Sequence, residues 1–173
     1  PVEEDGRLHD ARLRENFIER IFVMHRWHEL NAKRKTLSSL MHFHARHKYV
    51  LMAHCPATLK ELGTMLAQGK PRAPAELHRA YFERFIGALA KIATIKKNTN
   101  VLHHLMGYFK QNLDKEEKTE LKDLIAGYHA ELLPLIVPVT LVNHYARKYK
   151  PLYLRDQIYL QPHPLELMLR NHV

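Results

Sequence analysis

The chain holds one cysteine, Cys55, among 173 residues, which excludes an internal disulfide and a thiolate cage around a metal. It has no run approaching the ~20 apolar residues of a membrane span. Glycine is scarce, at six residues, and no glycine-rich phosphate loop is present. Neither serine is flanked by glycine as in a nucleophile elbow, and Cys55 runs straight into Pro56, so nucleophilic catalysis has no motif. No segment alternates polar and apolar residues convincingly enough for a half-buried strand. Internal repeats and low-complexity tracts are also missing. Residues 1–10 are mostly polar and acidic, unlike a secretory leader, so a cytoplasmic location is expected. Pro1 at the start is expected of a piece processed from something longer.

Acidic residues are the other shortage. There are 18 Asp and Glu against 27 Lys and Arg, a formal charge of +9 and a pI near 9.7. Residues 1–112 carry 19 basic and 10 acidic side chains, whereas residues 113–173 carry 8 of each. Basic clusters fall at Lys33-Arg34-Lys35, Arg46-His47-Lys48, Lys96-Lys97 and Arg147-Lys148 with Lys150. Such a balance suits a polyanion-binding surface, though many other basic proteins share it.

What the sequence does have is helical periodicity throughout. Asp10 is placed to cap a helix to about Leu30, with Leu13, Phe17, Ile18, Ile21, Phe22 and Met24 on its apolar side. A second helix is expected from Thr36 to Cys55, a third from Pro56 to about Gln68 and a fourth from Pro74 or Ala75 to about Ile92. Asn98 or Asn100 would cap the next, ending near Asn112. Asp114, with Glu117 three residues on, predicts a capping box for an acidic helix to about Leu133. Val137 to Tyr149 is helical, and the Pro-punctuated tail has short helical or irregular pieces. The expected architecture is all-α, a single-domain bundle of about six or seven helices.

Within the expected helix from Thr36 to Cys55, taking 100° per residue, Leu37, Leu40, Met41, Val50 and Leu51 define the buried arc. His44 and Lys48 fall inside it, His47 and His54 near its edge, and Ser38, Ser39, His42, Arg46 and Tyr49 opposite. A buried ammonium costs several kcal/mol unless paired, so Lys48 either snorkels outward or lines a polar pocket. In the helix ending near Asn112, His103, Gly107 and Lys110 share the polar face. Gly107 there either admits a neighbouring helix, the plainer reading, or lets a ligand approach. Tyr145 and Tyr149 read as core, beside outward His144, Arg147 and Lys148, with Tyr153, Arg155, Tyr159 and His163 downstream. Basic residues interleaved with aromatics suit looped or single-stranded RNA. The pairs His25/His28 and His44/His47 have metal-ligand spacing but no acidic or cysteine partner at a telling distance, so no metal is expected.

The run Phe43-His44-Ala45-Arg46-His47-Lys48-Tyr49-Val50-Leu51-Met52-Ala53-His54 resembles the signature helix of the YbgA-like domain family, catalogued as of unknown function. Asn100-Val-Leu-His-His-Leu-Met-Gly-Tyr-Phe-Lys110, Leu133-Pro-Leu-Ile-Val-Pro-Val-Thr-Leu141 and Tyr159-Leu-Gln-Pro-His-Pro-Leu-Glu-Leu-Met-Leu-Arg-Asn171 resemble its other blocks, in the same order. Residues 1–18 resemble the C-terminal end of a thiouracil desulfidase (TudS-like) domain, which in many bacteria precedes a YbgA-like domain. The resemblance implies a junction over residues 1–18 and a YbgA-like helical domain over 19–173. It further implies an accessory domain that engages tRNA or another RNA for a thiouridine or thiouracil desulfidase, in cis or in trans. The iron–sulfur cluster of such proteins is held by cysteines of the desulfidase half. Cys55 alone cannot supply that set, so neither cofactor nor catalytic residue is expected in this chain.

The candidate RNA-binding residues are His44, His47, Lys48, His54, His103, Lys110, Arg147, Lys148, His163, Arg170 and Asn171. The plainer alternative is a buried hydrogen-bond network, with Lys48 paired to an acid such as Glu131 or Glu166. Two rival functions are an enzyme using a His/Lys pocket and a protein-docking module for the desulfidase domain. An exposed apolar patch near Phe17, Phe22 and Trp27 would favour docking.

Overall fold

The computed structural model describes residues 1–33, 35–68, 73–164 and 166. Among them are eight α-helices and no strand, so the all-α class expected from periodicity holds, with more helices than the six or seven anticipated. The chain divides into two compact units, Pro1–Ala93 and Thr94–Val173. No helix among the described residues is long and apolar enough to cross a membrane.

In the first unit, Asp10 accepts from the N–H groups of Arg12 and Leu13 and so starts α1 (Ala11–Asn31). The helix turns Val23 and Trp27 inward, and Trp27 stacks on Phe82 with centroids 4.4 Å apart. Trp27 is thus core rather than part of an exposed docking patch. Asn16 donates to the Leu89 carbonyl at 2.8 Å, tying α1 to the end of α5 (Pro74–Leu89). That helix stops about three residues short of the expected Ile92.

The long helix expected from Thr36 to Cys55 is two helices, α2 (Leu37–Arg46) and α3 (Lys48–His54), broken at His47. Thr36 and Ser39 close a reciprocal capping box at its start. At the break, the His47 ring N–H and backbone N–H both point at the Phe43 carbonyl, at 2.8 and 3.1 Å. The ring also stacks on Phe43 with centroids 3.9 Å apart. A side chain competing for its own i−4 carbonyl bends a helix, and the phase of the apolar arc is lost there. Tyr49, expected outside, is buried, while Met41, expected inside, is 50% exposed. Every residue from Tyr49 to His54 is buried, as suits a helix enclosed on all sides. It packs on α4 (Pro56–Ala67) and α5.

Gly87 lies exposed inside α5, and a Cβ there would meet nothing within 4 Å. Gly87→Ala is therefore expected to stabilise the protein by about 0.5–1 kcal/mol. A higher urea midpoint at unchanged m-value would register the gain.

The second unit contains α6 (Ile95–Gly107), α7 (Lys115–His129) and α8 (Ile136–Tyr149); α7 packs on both others and α6 also meets α8. Thr94 caps α6 by accepting from the Lys97 N–H, so the helix begins earlier than expected. Asn98 is no cap: it is buried and accepts from the Tyr159 hydroxyl at 2.9 Å. The expected box at Asp114 and Glu117 forms with both hydrogen bonds present. At the end of α7, Glu131 adopts φ 59°, with Leu132 bonding back to Gly127 and Glu131 to Tyr128, a Schellman closure that ends the helix before Leu133. Asn143 donates to the Leu160 carbonyl at 2.9 Å and fastens residues 151–160 against α8.

Candidate nucleic-acid interface

Acidic residues in the second unit are unevenly placed along the chain. Residues 95–112 and 132–155 contain no Asp or Glu, whereas α7 carries Glu116, Glu117, Glu120 and Asp123 interleaved with Lys115, Lys118 and Lys122. On α6 the buried residues Val101, Leu102 and Leu105 take one side. Lys96, Asn100, His103 and Gly107 lie exposed within a sector of about 60° on the other. His104 flanks this stripe, and Lys110 continues it just past the helix end. A Cβ at Gly107 would meet nothing within 4 Å, so no described element packs onto it. The expectation that this glycine admits a neighbouring helix is thereby corrected. Tyr108, the next residue, lies parallel to Tyr153 with centroids 5.7 Å apart, and Tyr153 is 39% exposed.

The second feature is a groove of about 770 Å³ between the last turns of α8 and residues 150–162. Arg147, Lys150 and Arg155 line it, and no acidic residue among those described does. These three cations make no ion pair or side-chain hydrogen bond with any described residue. Buried Leu154 and Leu160 and exposed Leu152 give the groove its apolar lining, and Asn143 and Gln161 line it too. Lys150 reaches the groove from a left-handed backbone, φ 51° and ψ 45°, its N–H closing α8 on the Ala146 carbonyl.

Lys148, also an expected interface residue, is engaged elsewhere. Its ammonium meets Glu117 at 2.7 Å, and the Tyr149 hydroxyl donates to the same carboxylate at 2.9 Å. The Lys148 hydrogen bond holds Glu117 below the usual carboxylate range, and Glu117 in turn raises Lys148. Tyr145 is buried and Tyr149 half-buried, as expected of core tyrosines. His163 is exposed, with its backbone N–H donating to Glu166. Arg170 and Asn171 lie outside the described residues.

His44, His47, Lys48 and His54 belong to the first unit, and the structure gives them separate partners. His54 is buried, its Nδ1 2.6 Å from the Lys91 carbonyl and its Nε2 2.8 Å from Glu19. Burial opposes its charge, but the Glu19 carboxylate and the Lys91 carbonyl outweigh burial and raise its pKa. His47 is held neutral, lowered to about 3, chiefly by burial and further by Arg26 and Arg46 against the pull of the Phe43 carbonyl. His44 is half-buried, 3.0 Å from the Tyr81 hydroxyl, and lowered by burial and then by the Lys48 charge. Lys48 is half-buried with its ammonium 5.3 Å from the Tyr49 ring centre. Its suggested partners Glu131 and Glu166 belong to the second unit. His54 thus sits in a buried hydrogen-bond network between elements, whereas the His47 ring bonds only within its own helix.

A groove of about 750 Å³ in the first unit sets Lys35 and Arg79 beside Glu76 and Glu83, a mixed charge less suited to a polyanion. Neither groove is lined by His44, Lys48 or His103. Among the described residues, no three His, Cys, Asp or Glu side chains gather as a metal site.

Residues 48–164 match the family model described as "Protein of unknown function (DUF1722)". The chain belongs to this family. It is 30% identical over 161 residues to "Uncharacterized protein YbgA" of Escherichia coli (strain K12), covering 92% of this chain and 95% of that protein. The YbgA-like resemblance is thereby established. No solved structure matches the chain. The DUF1722 match takes in α6, α8 and the Arg147–Lys150–Arg155 groove, and begins just after His47. Of the groove cations, sequence reasoning chose only Arg147 as a site residue. Lys150 and Arg155 stood out as charge, but the turn at Leu152–Leu154 that gathers them has no linear signature.

Proposed function

We propose that this protein binds RNA through its second unit and does no chemistry on it, with tRNA the first candidate. The groove of Arg147, Lys150 and Arg155 carries the reading, because cations with no counter-ion among the described residues are available to phosphates. Exposed Lys96 and Lys110 add positive charge to the same unit, and Tyr153 offers a partly exposed ring for stacking a base. A desulfidase acting in cis or in trans is the partner that the likeness of residues 1–18 implies. Its iron–sulfur cluster would be its own, since one cysteine here does not fit that group.

The test is fluorescence anisotropy of labelled bulk tRNA and a matched DNA duplex over a range of salt. Tighter binding to tRNA is expected, with affinity falling steeply as salt rises. Lys96→Ala and Lys110→Ala should each weaken binding to all RNAs and reduce the log–log salt slope by about 0.7–1. Equal weak binding to both nucleic acids, or slopes unmoved by the two substitutions, would overturn the reading.

A further inference from the structure

We propose that the groove at the end of α8 is a pocket for a nucleoside phosphomonoester, either a free mononucleotide or the phosphorylated end of an RNA strand. Three cations line one groove without an acid among its described lining residues. A phosphomonoester brings close to two negative charges at neutral pH, a better match for them than the single charge of an internal phosphodiester. The volume of about 770 Å³ falls in the range of small-molecule sites and exceeds what a bare phosphate fills. The rest of the lining combines Leu152, Leu154 and Leu160 with Asn143 and Gln161, a mixture that suits a partly apolar group carrying hydrogen-bonding atoms. Leu152 is 86% exposed at the rim, where a nucleobase or ribose would cover it. The Asn143 amide is fixed by its bond to the Leu160 carbonyl, and Gln161 lines the same groove.

Lys150 adds an argument from the fold. Its left-handed position after a helix favours glycine or asparagine. A lysine there costs the backbone something and contributes its ammonium to the groove. The strand-end form of the proposal rests on the RNA-binding reading above, whereas mononucleotide binding does not.

The full chain would be titrated calorimetrically with UMP, AMP, uridine and inorganic phosphate. Single-stranded RNA oligonucleotides with and without a 5′- or 3′-terminal phosphate would be compared by anisotropy. A nucleoside monophosphate is expected to bind at least about tenfold tighter than uridine or inorganic phosphate, and a phosphorylated oligonucleotide tighter than its hydroxyl form. Tight UMP or AMP without an end effect would assign the groove to free nucleotides. Arg147→Ala and Arg155→Ala should each weaken nucleotide binding by about fivefold or more. Lys150→Gly should weaken it with thermal stability unchanged or raised, separating a ligand role from a structural one. Equal affinity for phosphate and nucleotide, or affinity unmoved by the three substitutions, would overturn the proposal. So would an absence of nucleotide binding in a chain that binds tRNA, an outcome that leaves the RNA reading standing. Nucleotide binding without tRNA binding would do the reverse.

Discussion

Glu19→Ala is expected to destabilise the protein by about 3–5 kcal/mol, the usual cost of removing one partner from a buried ion pair. The carboxylate lies 2.8 Å from Nε2 of His54, whose side chain is 2% exposed, and the other ring nitrogen points at the Lys91 carbonyl. A ring with an acceptor at each nitrogen is satisfied only when it donates twice, as the imidazolium does. His54 also ends α3, where the helix dipole favours a cation. Without Glu19 the ring either keeps an uncompensated charge in the core or gives up a proton and a hydrogen bond. Because folding raises the His54 pKa, the stabilisation is complete below the unfolded value near 6.5 and is lost as pH climbs through the raised folded value. Urea unfolding of the variant at neutral pH measures the cost, and the gap from the parent protein should narrow in alkali. A loss under about 1 kcal/mol would mean that the pair contributes no more than a surface salt bridge.

Acid should act through His47, in the opposite sense. Its folded pKa of about 3 lies below the unfolded value of 6.5, so the unfolded chain takes up the proton first as pH falls. The stabilisation is present above pH 6.5 and is lost on acidification, reaching about 4–5 kcal/mol at pH 3 at 1.36 kcal/mol per unit. The cause is local. Nδ1 donates to the Phe43 carbonyl, and buried Nε2 meets no hydrogen-bond partner among the described residues. A proton on Nε2 would be unsolvated and would face the positive charges of Arg26 and Arg46. His47→Leu should flatten the fall in urea midpoint between pH 6.5 and 4. A variant as acid-sensitive as the parent would place the effect elsewhere.

Much of the helical framework was legible because its signals are local. The Asp10 cap and the Asp114/Glu117 box depend on side chains reaching N–H groups two or three residues away, and both formed as expected. The break at His47 was not legible, because a periodic pattern does not report competition between a ring N–H and a backbone N–H for one carbonyl. Its consequence was an inverted assignment of Met41 and Tyr49. Asn98 looked like a cap because asparagine favours that position, yet its partner Tyr159 is 61 residues away in sequence. The candidate site divides in the same way. His103 and Arg147 on helices, and Lys110 just past one, were visible as exposed polar positions, whereas the gathering of Lys150 and Arg155 required the turn after Pro151. Lys148 looked equally available until Glu117, on the preceding helix, was seen to hold it.

The central claim is that the second unit receives RNA on its acid-free faces. The most direct measurement is ultraviolet cross-linking of the full chain to bound tRNA, with the attached residues mapped by peptide mass spectrometry. The account predicts cross-links on the exposed side of α6, at Tyr153 and around the Arg147–Lys150–Arg155 groove, with none on α7. Cross-links confined to the first unit, or spread over α7, would contradict it.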